Sequence, residues 1–336
     1  MGNEFLFCVA IVIIIVLIII ISTWPQENFK EQFNDNKRNI IIRILGNDLN
    51  GLHGNNQTYN NLKFTLENEP QFENCDKMFI LNRIIDKEKK QKYIELLNKY
   101  KTKYIEIPIE NHKLKKFKKM LMMLDFKIKE KRDKTGKLSK NVNKFMKKMY
   151  KANLYIVNNN GSRNIAIKYG KDHNYKYIFP LDSNAFFTTK QYNDIFTNLN
   201  HDTQYIILTQ KRVSDKSYTN NDILVNDELA EKLPDQEPQI VFRYDAQYNF
   251  NKMIPYGSSP KAELLRMLKV PGKWNSWSDN ESIYLVKDRP HVNVKWQKLS
   301  SVYRLSSENN KNNVSNNYQN RQSGLFKLIE SIPLKL

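Results

Sequence analysis

Asp182 and Asn184 stand one residue apart at the end of an apolar run, Tyr177 to Leu181, in the stretch YIFPLDSN. Two side-chain oxygens so spaced suit a hard divalent cation, Mg²⁺ or Mn²⁺, and such an ion neutralises a diphosphate. Upstream, Gly161-x-Arg163-Asn164 opens a helical pattern and brings a guanidinium and an amide to its first turn. The later acids Asp245, Asp279 and Glu281 are candidate general bases. Asp279 and Glu281 follow Trp274 and Trp277, whose faces suit stacking on a sugar ring. Each feature has a plainer alternative: an aspartate capping the turn after a strand, and surface acids beside core tryptophans. Glu237-Pro238-Gln239 and Arg243 flank a further strand and are weaker candidates for acceptor or phosphate contact.

The elements that must position these residues follow an α/β alternation. Asn39 to Leu45 (NIIIRIL), Lys77 to Leu81, Tyr104 to Ile109, Tyr177 to Leu181, Gln204 to Thr209 and Gln239 to Arg243 read as β-branched or apolar strands. Amphipathic stretches near 58–68, 86–100, 162–173, 191–199 and 261–268 read as the crossover helices. Such a sheet is mostly parallel and binds ligands outside the carboxyl ends of its strands. Asp182 ends one strand, Gly46-Asn47-Asp48 another, and Asn82-Arg83 a third.

Gly161, Arg163, Asn164, Tyr177, Ile178, Asp182 and Asn184 resemble, in order, the pattern G-x-x-x-A-R-N-x-G followed by Y-I-x-x-x-D-x-D of the family-2 type of GT-A nucleotide-sugar glycosyltransferases. The resemblance spans about Asn39 to Thr209. It implies a Rossmann-like GT-A domain that uses a nucleoside diphosphate sugar. Gly46, Asn47, Asp48, Asn82, Arg83, Arg163, Asn164 and Asp182 would bind the donor, and Asp182 and Asn184 the Mg²⁺ or Mn²⁺ ion. Asp279 and Glu281 match the family's late acidic pair by position. The chain departs from the pattern where the last metal-binding aspartate is Asn184, since an amide oxygen ligates more weakly than a carboxylate. Either the metal site is tuned, or it is lost and the fold serves binding.

The chain is 336 residues long with a formal net charge of +19. About +13 of that charge lies between Lys113 and Lys151, so the excess belongs to one insertion rather than to a basic face. Leu114, Phe117, Leu121, Leu124 and Ile128 recur at helical spacing there. A helix over 113–130 could lie on an anionic membrane, cover the donor phosphates, or pack as a solvated insertion; a nucleic-acid partner is disfavoured for want of aromatic interleaving. Only two cysteines occur, Cys8 and Cys75, so the body holds no internal disulfide.

Phe5 to Ile21 is unbroken apolar sequence whose helical length, about 25 Å, just spans a bilayer. The expected order is therefore an anchor over 1–24, a stalk over 25–38, the GT-A-like domain over 39–305, an Asn/Ser-rich linker over 306–323, and an apolar segment over 324–336 that docks on the body. Lys30, Lys37 and Arg38 favour a cytosolic body. Anchored transferases also face the secretory lumen, and both topologies stand.

Overall fold

β-Branched isoleucines at four of the seven positions of β1 (Asn39–Leu45) favour an extended chain, and all seven of its residues are buried. The chain, a computed structural model, is described over residues 37–49, 53–54, 56–122, 140–213, 217–226, 228–276, 289–306 and 317–332. After β1 come α1 (Gln57–Asn68) and β2 (Cys75–Asn82), which lies parallel to β1 with Asn39 opposite Cys75 and Leu45 opposite Leu81. α2 (Lys87–Lys99) starts at Asp86, whose carboxylate accepts the Lys89 N–H at 3.0 Å. β3 (Lys103–Ile107) joins parallel to β2.

Three helices follow: α3 (Asn111–Met122), α4 (Lys140–Ile156) and α5 (Asn159–Asp172). The chain then enters the sheet on the other side of β1, as β4 (Tyr177–Asp182), parallel to it. That reversal of direction between β1 and β4 is a topological switch point, where the loops leaving neighbouring strands diverge and open a crevice. Gly170 lets α5 lie close on the sheet: a Cβ there would stand 2.4 Å from Cγ1 of Ile178.

The second half supplies β5 (Ala185–Phe186), α6 (Thr189–Thr197), β6 (Tyr205–Arg212), the short helices α7 (Asp222–Val225) and α8 (Leu229–Lys232), and β7 (Asp235–Arg243). It continues with α9 (Ala262–Met267), β8 (Trp296–Arg304) and α10 (Asn317–Glu330). The eight strands form one sheet in the order β3-β2-β1-β4-β7-β6-β8-β5. β7 runs antiparallel to β4 and β6, β8 parallel to β6, and β5 antiparallel to β8. The expected mostly parallel α/β sheet is present; β5 and β8 escaped the sequence reading because β5 has two residues and β8 (WQKLSSVYR) is largely polar.

Both sheet faces are covered, as parallel strands require. Ile40, Ile42, Ile44 and Ile178 pack beneath Ala166 of α5, whereas Ile41, Phe179 and Leu181 join Phe187, Tyr192 and Ile206 on the other face. Inside that second face β1 carries a charge: Arg43 is fully buried, donates Nε–H to the Ala185 carbonyl at 2.8 Å and pairs with Glu69. Glu69 also accepts the Phe187 N–H at 2.9 Å and holds Lys77 at 2.9 Å. This buried group ties β1 to the turn that follows Asp182.

Two expectations change. The last part of the expected linker is helical, because α10 begins at Asn317 and runs to Glu330, while 307–316 lie outside the described residues. Its Leu325, Phe326 and Ile329, with Ile332, bury against Leu114, Met149, Ala152 and Ile156, so the terminal apolar segment does dock on the body. The same packing accounts for the stripe in the basic segment: Leu114 is buried and Phe117 packs beside it, so that part of α3 faces α4 and α10 rather than a bilayer. Among the described residues no helix is long and apolar enough to cross a membrane, and the run Phe5 to Ile21 lies outside them.

Candidate functional site

Strand register brings the expected residues to one edge. Ile44 pairs with Asp182 and Leu45 with Leu81, so Gly46, Asn82 and Asp182 leave the sheet side by side at the switch point. Gly46 faces open space, with no atom within 4 Å of where its Cβ would be.

Asp182 is the hub. Its Oδ1 accepts from Arg163 Nη2 at 2.5 Å, and its Oδ2 accepts from Gln239 Nε2 at 3.1 Å and lies 3.5 Å from Lys261 Nζ. Arg163 stands on the second turn of α5, two residues after Gly161, where a Cβ would come 2.0 Å from the Asn158 side chain. Arg163 also donates to Asn160 Oδ1 at 2.8 Å and lies over the Phe250 ring. Gln239 is on β7, and its place beside Asp182 follows from the antiparallel β4–β7 pairing. Lys261, just before α9, is 2 % exposed and has Glu237 at 3.9 Å.

Burial works against ionisation of Asp182, but the charges of Arg163 and then Lys261, with the Gln239 and Arg163 hydrogen bonds, hold its carboxyl well below the usual range. Burial lowers the Lys261 pKa, opposed by Asp182 and Glu237. Asp182 therefore stays an anion and is unsuited to accept a proton.

A divalent cation does not fit this donor set. Both Asp182 oxygens already face cationic or amide donors, and Lys261 and Arg163 would stand against a metal. Among the described residues no three His, Cys, Asp or Glu side chains are grouped to hold an ion. Asn184 is half-buried, and its carbonyl accepts the Leu305 N–H at 2.8 Å.

Several expected donor contacts prove to be struts. Asn47 accepts the Ile85 N–H at 2.8 Å and donates to the Arg83 carbonyl at 2.9 Å, joining the ends of β1 and β2. Asp48 accepts from Thr58 N and Oγ1 at 3.1 and 2.6 Å, capping α1. Asn82 donates to the Val157 carbonyl at 2.8 Å and accepts from Asn158 Nδ2 at 3.0 Å. Arg83 lies over the Tyr155 ring at 4.1 Å and donates to that residue's carbonyl. Asn164 makes a two-point bond with the Phe250 backbone, at 2.8 and 3.1 Å. These amides, and the Arg83 guanidinium through Nη1, bond inside the protein and tie the helices packed on the sheet to its end.

Asp245 is displaced outright. Arg243 pairs with Tyr177 at the start of β4, so Asp245 lies at the opposite edge from Asp182, about one strand length or 17 Å away. There it pairs with Arg243 at 2.6 Å. A late acid on an antiparallel strand ends at the wrong edge, and sequence order alone does not reveal that. Asp279, Glu281 and Trp277 lie outside the described residues. Trp274 packs against Ile254 and Ala262, a core role.

Other groups at this edge carried little sequence signal. Arg304 ends β8 opposite Ala185; its carbonyl accepts the Val213 N–H at 3.0 Å, and its side chain makes no hydrogen bond or ion pair among the described residues. Arg321, inside the expected linker, donates to the Gly257 carbonyl at 3.1 Å. His53 accepts the Leu49 N–H through Nδ1 at 3.0 Å, with Asp48 at 3.8 Å. Burial lowers its pKa; Asp48 opposes this, and the charges of Arg304 and Arg321 add to it. In a chain so rich in lysine and asparagine, nothing marks Lys261 or Arg304 from its neighbours; His53, five residues past Asp48 in a glycine-bearing loop, was the readable one.

No protein-family model matches the chain, and no curated protein matches it. Among solved structures, the 4-diphosphocytidyl-2C-methyl-D-erythritol synthase of Anaerococcus prevotii DSM 20548 is similar at 12% identity. The match covers 85% of this chain and 96% of that one, with a TM-score of 0.30. A superposition that loose bears on neither the fold nor the activity.

Proposed function

We propose that the chain is a nucleotide-sugar transferase, tethered to a membrane by Phe5 to Ile21, that moves a sugar from a nucleoside diphosphate donor to a glycan, lipid or protein acceptor. The observation that carries this reading is the convergence of Gly46, Arg163 and Asp182 on the switch-point edge, where open α/β sheets take nucleotides. Open space beside Gly46 admits a ligand to the sheet end, and Arg163 brings positive charge to it. Asp279 and Glu281 remain the candidate bases for the acceptor hydroxyl.

The test is calorimetric titration of the full chain in detergent with UDP, GDP, CDP and their sugars. Binding of one family of nucleotides in the micromolar to millimolar range, lost in Arg163→Gln, is expected; absence of binding by every nucleotide rejects the reading. Asp279→Asn and Glu281→Gln should lower turnover and leave nucleotide affinity within about threefold, since a base acts on the acceptor.

A second reading, a non-catalytic protein that retains the fold as an interaction platform, is favoured by Asn184 and by the internal use of Asn82, Arg83 and Asn164. Nucleotide binding without sugar transfer or donor hydrolysis would support it.

A further inference from the structure

The edge that should hold a metal ion holds fixed cations. Arg163 Nη2 and Lys261 Nζ stand 2.5 and 3.5 Å from the Asp182 carboxylate, and both side chains are only 2 % exposed. Such groups are costly to bury, and a single aspartate with the more distant Glu237 does not use all their donors. Arg163 Nε and Gln239 Oε1 are buried with no hydrogen-bond partner among the described residues. The polar group built around Asp182 is thus incompletely satisfied, as expected of a site completed by a ligand.

A third cation completes the edge. Leu305 N–H donates to the Asn184 carbonyl at 2.8 Å, and Arg304 pairs across β5 with Ala185, three residues beyond Asp182. Its guanidinium has no polar partner among the described residues, and its charge acts on both Lys261 and His53. Arg321 reaches the same neighbourhood from α10 and has a buried Nε without a partner.

We propose that Arg163, Lys261 and Arg304 replace the divalent cation, so that this edge binds a diphosphate directly and without a metal. Asp182 is then a positioning residue: its carboxylate orients Arg163 and Lys261 instead of ligating an ion. Arg304 supplies the uncompensated charge, and its planar donors suit phosphate oxygens. Asn184 fits this scheme, since a second carboxylate there would repel the diphosphate in the absence of a metal. The proposal rests on the nucleotide reading above only for the identity of the diphosphate carrier.

The test titrates the full chain with inorganic pyrophosphate, UDP and GDP, each in EDTA and in excess Mn²⁺. Equal binding of pyrophosphate and of a nucleoside diphosphate in both buffers is expected. Arg304→Gln should weaken both by about tenfold or more with an unchanged melting temperature, because this side chain is partly exposed and has no polar partner among the described residues. Lys261→Met is the companion variant, read only if it melts cooperatively. Binding that needs Mn²⁺ overturns the proposal while leaving the nucleotide reading intact. Pyrophosphate binding in EDTA with no nucleotide bound upholds the metal-free site and rejects the nucleotide reading. No binding of any probe in EDTA, or metal-free binding that Arg304→Gln does not weaken, overturns it.

Discussion

Asp182 illustrates how one side chain changes meaning with its neighbours. At the end of an apolar strand it reads as a metal ligand; with Arg163 and Lys261 against its two oxygens it is the counter-ion of a buried cationic pair. Asp182→Asn should therefore destabilise the protein by about 2–3 kcal/mol, less than for a fully buried pair because a third of the side chain meets water. Urea unfolding checks this, and a loss below about 0.5 kcal/mol would show the cations to be compensated elsewhere. His53 offers a pH test. Its folded pKa is lowered from an ordinary value of 6.5, so the unfolded chain takes up the proton first as pH falls. The stability difference is absent above that value, grows as pH drops below it and levels off under the folded pKa. The melting temperature of His53→Gln should consequently fall less than that of the parent between about pH 7 and 5. Identical profiles for the two proteins would show that the partly buried His53 imidazole takes up its proton as readily in the folded chain as in the unfolded one.

α5 is the element on which the candidate site depends. It carries Arg163 at its start and rests on β4 through Gly170, where a Cβ would come 2.4 Å from Ile178. Gly170→Ala should lift the helix, cost about 1–3 kcal/mol and weaken pyrophosphate binding, because Arg163 moves with the helix while Asp182 stays on the strand. Thermal melts and titrations of the same variant test the coupling; unchanged affinity in a destabilised protein would separate helix seating from the site. β1, β2 and β4 were legible because each rests on a contiguous apolar run, rich in isoleucine in β1, that the sheet buries. α10 was not legible, since Asn317 to Ser323 reads as linker by composition and its helical state depends on Leu325, Phe326 and Ile329 meeting α3 and α4.

At the scale of the molecule the sheet is not a nucleotide-binding half with an appendage. β8 comes late in the chain yet pairs with β6 on one side and β5 on the other, and it brings Arg304 to the edge that β1 and β4 begin. A chain ending at residue 288 keeps all of the motif-bearing sequence but lacks β8 and α10. It should show no cooperative thermal transition by circular dichroism and no pyrophosphate binding; a sharp melt near that of the full chain would mean that the chain through β7 folds without β8 and α10. The sequence by itself determined the α/β alternation, the strands that meet at the switch point and the position of Asp182, because hydrophobic period and strand ends are properties of contiguous residues. Only the tertiary structure decided that Asp245 lies at the far edge, that Asn82, Arg83 and Asn164 brace the helices, that Lys261 reaches Asp182, and that Arg304 ends β8 opposite Ala185. Strand direction and order place residues far apart in the chain side by side, and no local pattern carries that information.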